Sequence, residues 1–187
     1  MQSHTANVGL VRSCFYHIHH ATIRGIRRSL TTDARRTLAT ASVANRVDYC
    51  NAVLYGTSTA VTRQLQMVLN AAAGIVVSIG KYEHLHRCFV SRDTLHWLRV
   101  TARIQFKIAA LTFDCVRGTG PVYLKQVICP VPDLSRRSLR SAGLGDLFVS
   151  RANTSIGQRS FSSAAAVAWN TLPPDLRSPH KLHNNRR

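Results

Sequence analysis

Between Val61 and Ile79 the apolar residues fall in steps of three and four: Val61, Leu65, Val68, Leu69, Ala72, Val76 and Ile79. That spacing draws one continuous face on a helix. Gly56 closes whatever precedes it, Thr57, Ser58 and Thr59 offer capping hydroxyls, and Gly80-Lys81 mark its end. Gly74 inside the stretch weakens it by about 1 kcal/mol relative to alanine unless a close neighbour needs the missing side chain. A second stripe, Trp97, Val100, Ile104, Ile108, Leu111 and Cys115, predicts a helix from Trp97 onward. Phe106 and Phe113 stand on its other side, so this helix is expected to be covered on two faces and to be central. Two glycines and a proline in Gly118-Thr119-Gly120-Pro121 stop it.

The flanking chain is weaker in pattern. Val8, Val11, Phe15, Ile18 and Thr22 make a basic amphipathic segment over residues 1–30, and Thr31, Thr32 and Asp33 supply N-cap chemistry for a helix to about Leu54. Its middle, Thr40 to Ala44, has little apolar volume, so Leu38, Val43, Val47 and Leu54 must hold it. Past Gly118 come Pro130, Pro132, a β-prone piece at Leu147 to Val149, and a helix over Ser160 to Asn170 that breaks at Pro173-Pro174. The final HKLHNNRR reads as a disordered polar tail. The expected fold is mainly α: a bundle of four or five helices, then an irregular C-terminal segment with short strands and one further helix. The expected domains are a helical region, 1–117, and a basic region, 118–187.

Charge changes this picture most. Twenty-five Lys and Arg against eight Asp and Glu leave +17 on 187 residues, and a phosphate backbone is the default partner for such a surplus. Ten of the basic residues follow Gly118, against Asp133, Asp146 and Asp175. Arg99, Arg103 and Lys107 recur every fourth position beside the central apolar stripe; they suit a polyanion, and they equally suit a solvated basic edge. Arg136, Arg137 and Arg140 form a second basic group. Tyrosines and tryptophans interleave with the cations, but both tryptophans are expected in the core and binding is expected through phosphates, with little sequence preference.

Other chemistry is poorly served. The eight carboxylates include no Asp-Asp and no Asp-x-Asp, so a two-metal phosphoryl-transfer centre is not expected. GTGP and GLGD lack the rest of a phosphate loop, and nothing resembles GxSxG. Cys14, His17, His19 and His20, with His84, His86, Cys88 and nearby His96, are zinc-capable residue types without a zinc template; solvated histidines are the simpler reading. No catalytic residue, metal or cofactor is assigned. No run reaches the roughly 18 apolar residues of a membrane span, and the N-terminus lacks a secretory pattern. The chain is expected to be intracellular, nuclear or cytoplasmic, with its five cysteines as free thiols.

The stretch LHWLRVTARIQFKIAALTFD, Leu95 to Asp114, resembles the LHWLPVxxRIxFKIxxLTF signature of non-LTR (LINE-type) retrotransposon reverse transcriptases. SCFYHIHHATIRGIRRSLTTDARRTL, NRVDYCNAVLYG, LQMVLNAAAGIV, GPVYL, RRSLRSA and GQRSFSSAAAVAWNTLPPDLR resemble further blocks of the same family, in the same order, over nearly the whole chain. The resemblance is to the region C-terminal to the catalytic palm. It implies a thumb-like, non-catalytic piece of an RNA-directed DNA polymerase that grips RNA or an RNA–DNA hybrid, without the palm aspartates and their Mg²⁺. Arg99, Arg103, Lys107, Arg136, Arg137 and Arg140 are the expected nucleic-acid contacts. Arg99 replaces the family's usual proline, Gly74 a longer and often basic residue, and Thr40 to Ala44 a bulkier apolar run. Two alternatives stay open: a protein-interaction module co-opted from a retroelement, and a translated relic without function.

Overall fold

The structure, a computed structural model, describes residues 28–49, 51–77, 95–131 and 145–177. The chain divides into two compact units, residues 1–104 and 105–187. Among the described residues it is mainly helical and contains no strand. The expected N-terminal amphipathic segment up to residue 27, the connector YEHLHRCFVSRD that leads into the helix after it (82–93), both His/Cys groups apart from His96, and the terminal HKLHNNRR lie outside the described residues.

In the first unit, α1 (Thr32–Ala39) begins where the capping residues place it, with the Thr31 hydroxyl accepting from the Ala34 amide at 3.3 Å. Asp33 in its first turn complements the helix dipole. The helix expected to run to about Leu54 stays continuously helical to Asp48, where it stops, and its middle takes a wider turn. Thr40–Ala44 is a π-turn, in which the Asn45 amide reaches back five residues to the Thr40 carbonyl. The Ser42 hydroxyl also bonds the Leu38 carbonyl at 2.6 Å. These are the small residues that left the middle without apolar volume. The wider turn re-phases the chain so that Ala39, Val43, Ala44 and Val47 are all buried. A short α2 (Asn45–Asp48) follows and ends at extended Tyr49, and Asn51–Leu54 is a single 3₁₀ turn.

Helix α3 (Thr59–Val76) carries the core of this unit, against which α1 and the π-turn pack. Val61, Leu65, Val68, Leu69, Ala72 and Val76 are buried as the spacing predicts; Ile79 lies outside the described residues. Gly56, at φ 65°, supplies the left-handed turn before it.

The central helix, α4, runs over Val100–Val116, three residues later than the expected start at Trp97. His96, just before that expected start, sits at φ 54°, and residues 97–99 that follow it are not helical. The Val100 amide is instead capped from outside, by the Gln66 side-chain oxygen of α3 at 3.0 Å. Its C-terminus falls as expected. Gly118 takes φ 82°, and the Asp114 carbonyl accepts from the amides of Thr119 at 2.9 Å and Gly120 at 2.8 Å.

In the second unit, α5 (Val122–Lys125), α6 (Ser155–Gln158), α7 (Phe161–Asn170) and α8 (Pro174–Arg177) follow. Trp169 is the largest fully buried side chain; with Leu147 and Ala166 it forms a core flanked by Phe113, Ile128 and Leu172. The β-prone piece at Leu147 makes one antiparallel bridge, to Pro130, in place of short strands.

Candidate nucleic-acid interface

Of the six cations singled out by sequence, Arg136, Arg137 and Arg140 lie outside the described residues. Arg99 is exposed immediately before α4, its carbonyl accepting from the Arg103 amide at 2.9 Å. Lys107 is exposed on α4.

Arg103 is placed differently. Its Nη1 donates to Asp48 Oδ2 at 2.5 Å and its Nε to the Leu98 carbonyl at 2.8 Å, with the side chain only 13% exposed. Asp48 Oδ1 in turn accepts from the Asn51 side-chain Nδ2 at 3.4 Å. The guanidinium therefore ties α2 to the start of α4 inside the first unit. Nothing in the spacing of Arg99, Arg103 and Lys107 distinguishes the middle one, because Asp48 is far off in sequence and its position depends on the π-turn.

The aromatic residues separate clearly. Trp169 is buried, its indole N–H donating to the Gly145 carbonyl at 2.8 Å. Trp97 and Tyr55 are half-buried, whereas Tyr49 and Tyr123 are exposed. Phe113 is half-buried, its ring 6.3 Å from that of Trp169 with the Arg117 guanidinium 4.5 Å over its centroid. Phe106 is 66% exposed. The expectation that α4 is covered on both faces is thus met at Phe113 and fails at Phe106.

No group of three His, Cys, Asp or Glu residues gathers among the described residues in a way that would hold a metal ion. Asp146 is ion-paired to Arg177, and Asp33 and Asp114 are exposed. Cys129 is exposed, whereas Cys115 is buried and its thiol is pushed up in pKa, first by burial and then by Asp114, with Lys125 opposing. No described helix is long and apolar enough to cross a membrane.

Sequence reasoning missed a polar clamp in the second unit. The Asn170 side chain accepts from the Leu147 amide at 2.9 Å and donates to the Leu147 carbonyl at 2.8 Å, pairing with that residue as a neighbouring strand would. Comparison with family models, curated proteins and solved structures gives no match.

Proposed function

We propose that this chain is a non-catalytic piece from the C-terminal side of a non-LTR retrotransposon RNA-directed DNA polymerase, and that it binds RNA or DNA non-specifically through phosphates. The observation that carries the reading is the set of seven family-like blocks in family order, from SCFYHIHH to NTLPPDLR. The +17 charge supports it, as do a mainly helical fold and the exposure of Arg99 and Lys107. Such a piece would work inside the cell, in the nucleus or cytoplasm.

Fluorescence anisotropy with a labelled RNA–DNA hybrid, repeated across a salt series, tests the proposal. Affinity should fall linearly on a log–log plot as salt rises, and hybrids of different sequence should bind alike. Absence of binding at low salt, or binding that ignores salt, would overturn it.

A second reading, a protein-interaction module, draws on Val122, Tyr123 and Val127, apolar side chains exposed in and just after α5. Under that reading a pull-down returns a protein partner that survives nuclease treatment.

A further inference from the structure

We propose that Phe106 is a stacking platform for an unpaired base, with Lys107 on the adjoining phosphate. The assignment rests on the nucleic-acid reading above and narrows it to strands whose bases are free.

Phe106 lies inside a 17-residue helix, yet 66% of it is exposed. Two turns on, Phe113 is packed against Trp169 and covered by Arg117. A lone exposed phenyl is ordinary on protein surfaces; its surroundings set this one apart. Gln105 and Lys107 are exposed on either side of it. One turn further stand Ala109 and Ala110, too small to cover a ring. The first carboxylate along the helix after Phe106 is Asp114, two turns away. The described residues of this unit carry six cations, Lys107, Arg117, Lys125, Arg151, Arg159 and Arg177, against three carboxylates, Asp114, Asp146 and Asp175.

The occupant follows from what is missing around the ring. A docking helix needs apolar residues repeating at i, i+3 or i+4, and i+7. After Phe106 those positions are the two alanines and the half-buried Phe113, so along the helix no second large apolar side chain is exposed within the next two turns, the next being Val116. A membrane surface would likewise need a broader apolar face beside its cations. A nucleobase needs only a flat π-face, and its own phosphate needs a neighbouring cation. Phe106 and Lys107 supply both.

The full chain is titrated with labelled single-stranded RNA and with an RNA duplex of equal length, as wild type and as F106A, F106L, F106W and K107A. F106A and F106L should each weaken single-strand binding about tenfold, leave duplex binding unchanged and keep the wild-type salt slope; F106W should restore affinity. K107A should reduce the salt slope by about one. Circular dichroism melts check that each variant stays folded. Photocrosslinking of 5-iodouridine RNA, mapped by mass spectrometry, should place the crosslink at Phe106 or its neighbours. Wild-type binding with F106A unchanged overturns the stacking role and leaves the general proposal standing. No wild-type binding to either RNA overturns both. If F106A lowers only self-association in sedimentation, or only binding to anionic phospholipid vesicles, the base is the wrong occupant and the assignment falls.

Discussion

Asn170 does for Leu147 what a missing strand would have done. Leu147 is buried, its amide and carbonyl both need partners, and one carboxamide satisfies them together. Asn170→Ala should therefore lower stability by about 2–3 kcal/mol, because a donor and an acceptor are orphaned at once. Trp169→Phe removes the bond to the Gly145 carbonyl and leaves a void where part of the fully buried indole stood; about 2–3 kcal/mol is expected. Urea unfolding followed by circular dichroism measures both. Cys115 gives a pH signature. Its thiol ionises later in the folded chain than in the unfolded one, so the stability it contributes is complete below the ordinary thiol range and is lost as pH rises through and above it. A Cys115→Ala variant should lose less stability than wild type between pH 7 and 10. At pH 8, alkylation mapped by mass spectrometry should modify exposed Cys129 well before Cys115.

At the scale of elements, whatever depended on near neighbours was legible. The α3 stripe, the Thr31 cap, the stop at Gly118-Thr119-Gly120 and the break at Pro173-Pro174 follow from periodicity and turn chemistry within a few residues. What failed depended on remote partners. Gln66 is 34 residues from the amide it caps, and no local rule reveals that α4 should wait for it. The π-turn was visible only as a weakness, a run too small to pack, without a sign of how the chain would resolve it. Gly120 shows the local kind of constraint at its tightest. A Cβ there would lie 2.7 Å from Cys115 Sγ and 2.8 Å from the Cys115 backbone nitrogen, and that nitrogen belongs to α4 and cannot step aside. Gly120→Ala should lower the melting temperature by several degrees, corresponding to about 1–3 kcal/mol, whereas Gly118→Asn should be milder because asparagine tolerates the left-handed region.

For the molecule as a whole, the sequence exposes a charge surplus but not how individual cations are used. Arg103 sits midway between Arg99 and Lys107 along the chain, and pattern alone treats the three alike. In the fold its guanidinium is drawn inward to Asp48 and the Leu98 carbonyl, while the other two stay exposed. Binding and stability should therefore separate on mutation. Arg99→Ala and Lys107→Ala should each flatten the salt dependence of nucleic-acid affinity by about one phosphate contact and leave the melting temperature unchanged. Arg103→Ala should leave the salt slope as it is and lower stability by about 1–2 kcal/mol, a figure kept modest because the Asp48 side chain is 40% exposed. Asp48→Asn, which removes the negative charge facing the guanidinium, should destabilise to a similar degree. In a double-mutant cycle the pair should lose less than the sum of its single changes. If Arg103→Ala instead flattened the salt slope as Lys107→Ala does, with the melt untouched, the guanidinium would belong to the ligand and not to the fold.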